Sequence, residues 1–106
     1  MRVAITSTGN SLESDIDSSF GRCTYFVVYD TETQGIEIFP NPNRNLEEGA
    51  GPASVQLMVS RNVSKIISGD FGIKIKSLLD SLKIQQIVAR EPKRKILEII
   101  ELLNHH

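Results

Sequence analysis

The chain has 106 residues, 40% of them hydrophobic and 24% charged, and a formal net charge of −1. That describes one domain, able to bury about two-thirds of its unfolded surface and lacking the basic surplus of a general nucleic-acid binder. A single cysteine excludes an internal disulfide and fits a reducing compartment, here the cytoplasm.

Arg2-Val3-Ala4-Ile5 opens the chain without a secretory hydrophobic region, and no apolar run reaches bilayer-spanning length, so no membrane partner is expected. Val3, Ala4 and Ile5 form a short first strand. Thr6 to Ser19, with Gly9, Asn10 and the acids Glu13, Asp15 and Asp17, is too long and polar for a tight turn and reads as a surface loop. Thr24 to Asp30 is a second strand, Thr31 to Gly35 a turn, and Ile36 to Phe39 a third strand, together an antiparallel hairpin. Pro40-Asn41-Pro42-Asn43 stops that strand, because proline cannot donate to a ladder.

After a second polar loop, Arg44 to Gly49, a helix starts near Gly51-Pro52, with Ala50, Ala53, Leu57 and Met58 on one face and Asn62 as a left-handed cap. Lys65 to Ser68 is a fourth strand, and Gly69-Asp70-Phe71-Gly72 turns into a helix striped by Phe71, Ile75, Leu78, Leu79 and Leu82. Ile84 to Ala89 is a fifth strand, and Pro92 begins a last helix with Ile96, Ile99, Ile100 and Leu103 inward. Residues 1–104 read as one domain, and the terminal His105-His106 pair reads as a purification-tag remnant set aside as a ligand source.

The order βββαβαβα implies an α/β domain with a mixed sheet and right-handed crossovers between its parallel strands. Ligands of such sheets collect beyond the carboxyl ends of the parallel strands. Here those ends are Thr6 to Asn10 and Ser68 to Gly72, with Asn41 to Pro52 completing a rim.

Phe20-Gly21-Arg22-Cys23 places a permanent cation beside the only thiol at a strand entrance. Arginine captures anions through a planar fork of donors, and a neighbouring cation favours the metal-binding thiolate. The same residues also read as a small buried cysteine next to a surface arginine. Gly49-Ala50-Gly51 and Gly69-Asp70-Phe71-Gly72 each open a helix, where free N–H groups meet anions and glycine lets them approach; ordinary turn glycines are the alternative.

Asp15, Asp17, Asp30 and Asp70 read as solvated loop acids. A two-metal nuclease would need converging carboxylates, and the first strand carries none. No histidine precedes the terminal pair, and no Cys-x-x-Cys is present, so acid–base, nucleophilic and zinc chemistry lack their residues. Lys93-Arg94-Lys95 reads as a solvated basic face.

In their order and spacing, Arg2-Val3-Ala4-Ile5, Phe20-Gly21-Arg22 with Tyr25-Phe26, Asn41-Pro42, Gly49-Ala50-Gly51 and Ser68-Gly69-Asp70-Phe71-Gly72 carry a resemblance over nearly the whole chain. They resemble the dinitrogenase iron-molybdenum cofactor-binding family, which includes NifX, NafY and the C-terminal domain of NifB. The resemblance implies a ribonuclease H-like motif: a five-stranded mixed sheet, its second strand antiparallel, flanked by helices.

It also implies a carrier rather than an enzyme. The cargo would be an anionic metal–sulfur cluster, of the iron-molybdenum cofactor or iron–sulfur precursor type, exchanged with cluster donor or acceptor proteins. Phe20, Gly21, Arg22, Gly49, Gly51, Gly69 and Gly72 match its motifs and are the implied cofactor-binding residues. Cys23, at a position where the family varies, is added as the soft metal ligand on its chemistry alone. Asp70 stands where the resemblance implies a glycine, and Ile73 where it implies a proline. The alternative reading is a cofactor-free interaction or regulatory domain of the same fold. A monomer or weak homodimer is expected, with neither nucleic acid nor membrane as partner.

Overall fold

The computed structural model describes residues 1–89 and 94–104. β1 (Arg2–Ser7), β2 (Tyr25–Asp30) and β3 (Ile36–Pro40) come first, then α1 (Ala50–Ser60), β4 (Val63–Ser68), α2 (Ile73–Ser81), β5 (Gln85–Val88) and α3 (Ile96–Asn104). The strands form one five-stranded sheet in the order β3-β2-β1-β4-β5. β2 runs antiparallel to β1 and β3, while β4 is parallel to β1 and β5. This is the ribonuclease H-like mixed sheet that the resemblance implies.

β1 lies at the centre because both of its faces are apolar, and every residue from Val3 to Ser7 is buried. Alternation divides the core into two layers. Ala4, Phe26, Val28 and Ile66 pack beneath α1 and α2 with Val55, Met58 and Leu79. Val3, Ile5, Val27, Tyr29 and Ile67 pack against Ile96, Ile99 and Ile100 of α3, with Leu12, Ile16 and Leu103 at the margin.

Several local readings shift. The buried face of α1 is Ala50, Ser54, Val55 and Met58, so Ala53 is replaced as a core position by the serine one residue on. Residues 50, 54 and 58 are an i, i+4 row, and that row meets the Phe20–Gly21 segment. Phe71 is buried but precedes α2, and Leu82 is 41% exposed, so the α2 stripe is narrower than expected. Pro40 ends β3 rather than following it, paired opposite Tyr25. An edge strand accepts a proline whose missing N–H would have faced away. Asn62, at φ 59°, takes the expected left-handed cap.

Lys95 is not a solvated face. It pairs with Asp15 at 3.8 Å, and its Nζ donates to the Glu13 carbonyl at 2.9 Å, tying α3 to the first loop. Backbone bonds from Ile16 to Arg94, Ile96 to Ser14 and Leu97 to Leu12 complete that seam. The expected helix start at Pro92, with Lys93, and the His105-His106 pair lie outside the described residues.

Candidate functional site

The carboxyl ends of β1 and β4 carry a buried polar layer where an apolar one would be ordinary. Thr6, Ser7 and Ser68 are fully buried there. Thr6 Oγ1 donates to the Asp17 carbonyl at 2.9 Å and lies 3.1 Å from Ser68 Oγ. Ser68 Oγ in turn donates to the Asp70 carbonyl at 3.0 Å. The strand ends thereby hold two loops, 17–24 and 69–72, above the sheet.

Asp17 organises the first of these loops. Its carboxylate accepts the Ser19 N–H at 3.3 Å and the Thr24 N–H at 3.2 Å, one at each oxygen. Its carbonyl accepts the Gly69 N–H at 3.0 Å, linking the two loops. Asp17 is therefore a structural strap and not a solvated acid.

Phe20 points down from the loop and is 1% exposed. Its ring centroid lies 5.8 Å from those of both Phe26 and Phe71. Its side chain therefore supports the rim as core and does not line it.

Gly21 crosses the first turn of α1 at backbone contact. A Cβ on Gly21 would come within 3.0 Å of both the Cα and the N of Gly51. A Cβ on Gly51 would come within 2.7 Å of Ile75 Cδ1, and one on Gly69 within 2.6 Å of Ser18 Cα. These three glycines are places of close approach, and their spacing in the sequence records contacts between segments far apart along the chain. Gly49 and Gly72 differ: each has open space around it and a positive φ, 77° and 79°, which favours glycine on conformational grounds.

Asn41, 6% exposed, is the second organiser. Its Nδ2 donates to the carbonyls of Gly21 at 3.0 Å and Cys23 at 3.1 Å, while its Oδ1 accepts the Asn43 N–H at 2.9 Å. Ser54 Oγ adds a bond to the Gly21 carbonyl at 3.4 Å. Asn41 entered the sequence reading as a strand stop, a rim boundary and a motif residue but not as an organiser, and Ser54 and the fixing role of Asp17 were missed. The spacing 50, 54, 58 was the available signal for Ser54.

Cys23 is fully buried beneath this loop. Its thiol lies 3.5 Å from the Phe20 carbonyl and 3.7 Å from Asn41 Nδ2. Burial pushes the thiol up to about 12, and the Asp17 charge adds to the rise; the Asn41 hydrogen bond pulls the other way and loses. The expectation of a thiolate favoured by Arg22 is corrected, because the side chains of neighbouring residues at a strand entrance point to opposite sides. The small buried cysteine is the reading that matches this geometry.

Arg22 is exposed at the rim. Its Nη1 donates to the Arg44 carbonyl at 3.0 Å and its Nη2 to the Glu47 carbonyl at 3.4 Å. The guanidinium thus braces the loop that leads into α1. No carboxylate among the described residues forms an ion pair with it. α1 itself has no side-chain cap and no acidic residue in its first turn. The loop braced by this cation leads into the uncapped helix start, which the Gly21 backbone meets at Gly51.

Among the described residues, no group of three or more His, Cys, Asp or Glu could hold a metal ion. The polar groups at this corner are N–H donors, those of the Arg22 guanidinium and of the first turn of α1, where Pro52 has none to offer. No helix among the described residues is long and apolar enough to cross a membrane.

A five-stranded ribonuclease H-like mixed sheet in this strand order, flanked by three helices, defines a class of small α/β domains. The chain belongs within it to the dinitrogenase iron-molybdenum cofactor family, which it matches over residues 1–105. The apo form of the orange protein from Desulfovibrio gigas superposes with a TM-score of 0.85 at 27% identity, over 94% of this chain and 83% of that one. A Thermotoga protein provisionally assigned as NifB superposes with a TM-score of 0.75 at 33% identity, over 94% of this chain and 84% of that one. The protein designated PH0822 shares the fold with a TM-score of 0.79 at 22% identity, over 98% of this chain and 88% of that one. No curated protein matches the chain.

Proposed function

We propose that this protein is a small carrier for an anionic metal–sulfur cluster, of the iron-molybdenum cofactor or iron–sulfur precursor type, and not an enzyme. The observation that carries the reading is Arg22, a cation without a carboxylate partner among the described residues, bonded to the loop that leads into the uncapped start of α1. Membership of the cofactor family supports the choice of cargo. Charge-assisted N–H bonds to an anion are about twice as strong as neutral ones, so this corner favours an anionic guest.

Gly49, with open space around it, gives the cargo backbone access, and the Gly21–Gly51 contact sets the spacing. Phe20 and Cys23 act from below, by packing. The cargo brings its own sulfide and exchangeable ligands, since the protein offers hydrogen-bond donors here. Cytoplasmic donor or acceptor proteins would load and unload it. Ile73, 84% exposed, and Leu46, 40% exposed, give the rim apolar surface for that docking.

The test is anaerobic reconstitution with iron and sulfide, with and without molybdate, read by visible absorption and metal content per chain. Wild type is expected to retain metal with charge-transfer bands, Arg22→Ala to lose it, and Cys23→Ala to keep it. Equal retention by wild type and Arg22→Ala would overturn the assignment of the seat. Loss of metal in a folded Cys23→Ala variant would assign the thiol to the cluster through an opened loop. No metal in any variant would favour the cofactor-free interaction domain.

A further inference from the structure

The second glycine turn is built differently from the first. Asp70 lies between Gly69 and Gly72, and its carboxylate folds back onto its own turn. Oδ1 accepts the Phe71 N–H at 2.8 Å and the Gly72 N–H at 3.4 Å. The turn is anchored from the core, because the Asp70 carbonyl accepts from buried Ser68, which itself contacts Thr6. Gly69 cannot offer its N–H either, since that group donates to the Asp17 carbonyl. The N–H groups of Gly69, Phe71 and Gly72 are thus engaged by acceptors of the chain itself, two of them by a carboxylate oxygen.

Resting on the carrier reading above, we propose that Asp70 is the charge-selecting residue of the rim. It serves as a built-in anion for the β4–α2 turn, confines the cargo to the Arg22–α1 half, and selects cargo of low negative charge. Two effects combine. Three of the turn's N–H groups are already taken and offer nothing to a second anionic group, and each negative charge added to the cargo meets the repulsion of the Asp70 carboxylate. The sequence expectation that Gly69 and Gly72 contact the cluster through their backbone is replaced by a shielding turn.

The test uses two tetrahedral oxyanions of similar shape and different charge, molybdate (2−) and perrhenate (1−), titrated at constant ionic strength. Backbone amide shifts of Ala50, Gly51, Phe71 and Gly72 are followed by NMR in wild type, Asp70→Asn and Asp70→Gly. In wild type, Ala50 and Gly51 are expected to move while Phe71 and Gly72 stay still. Asp70→Asn keeps an acceptor oxygen without the charge, and should raise the molybdate-to-perrhenate affinity ratio about tenfold. Asp70→Gly should raise that ratio similarly and bring the Phe71 and Gly72 amides into the response.

An unchanged ratio in both variants, with Ala50 and Gly51 responding normally, overturns the inference and leaves the carrier reading standing. A wild-type response at Phe71 and Gly72 equal to that at Ala50 and Gly51 does the same. No response at any of the four amides in any of the three proteins overturns the anion seat itself, and the inference with it.

Discussion

The two ends of the sheet treat their arginines in opposite ways. At the end where β1 begins, Arg2 pairs with Asp30 at 3.8 Å, and Arg61 pairs with Glu37 while stacking 3.9 Å from the Phe39 ring centroid. A shallow depression of about 210 Å³ between Arg2, Asp30 and Glu37 is therefore already charge-balanced. The Asp30 carboxyl is held below its ordinary value there by the Glu32 N–H and then the Thr33 N–H. At the opposite end, Arg22 meets only backbone carbonyls among the described residues. A cation neutralised within the fold contributes structure, whereas one left with dipoles alone retains charge to offer a guest.

The largest blow to the Arg22 end should come from below. Phe20→Ala removes the ring between Phe26 and Phe71 and should cost about 3–5 kcal/mol in chemical denaturation. Loss of under 1 kcal/mol would mean that the loop does not depend on its aromatic anchor.

Gly21→Ala should cost about 1–3 kcal/mol, since its Cβ would press on the backbone of Gly51, which cannot rotate away. The same variant should weaken cluster uptake by pushing the Arg22 segment away from the loop that leads into α1. Normal uptake would separate the Gly21–Gly51 contact from the seat.

Cys23 supplies a pH test. The folded thiol titrates at about 12 against an ordinary value of 9.0, so the unfolded chain loses this proton first. Between those values the unfolded state binds fewer protons, and stability must fall as pH rises; below the unfolded value the contribution is fully present. Cys23→Ala should abolish that part of the alkaline decline, measured by denaturation at a series of pH values. Identical declines in both proteins would place the thiol in contact with water.

The smallest effects sharpen the contrast between the ends. Arg61→Ala should cost about 1 kcal/mol through its lost ring contact and exposed ion pair, with cluster uptake unchanged. Arg22→Ala should change stability by less than about 0.5 kcal/mol while reducing uptake. The reverse pattern would exchange the roles of the two ends.

Much of the fold was legible along the chain. Proline at 40 and 42, glycines at 49, 69 and 72, and short apolar runs mark all the strands and most helix limits, because backbone restrictions and alternation are local. The motif glycines were legible as positions, and Arg22 as an exposed cation. Their partners were not. That Gly21 meets Gly51, and that Gly69 meets Ser18, depends on segments brought together by the sheet, which no local pattern encodes.

The polar residues show the limit most clearly. Asp17, Asn41, Ser54 and Ser68 carry no signal of a fixing role in sequence, yet they hold the rim through partly buried bonds. Hydrophobic periodicity registers only apolar side chains, so a buried hydrogen-bonding layer leaves no trace in it. Cys23 and Arg22 are neighbours in the chain, and their proximity implied a thiolate. The tertiary structure decided otherwise: burial sets the protonation of the thiol, and burial is decided by which side of the loop each side chain faces. By itself the sequence determined the order of elements, the strand faces and the glycines at which backbones meet. Only the packed structure decided which charge remains available and which turn is already filled, because both depend on desolvation and contact across distant segments.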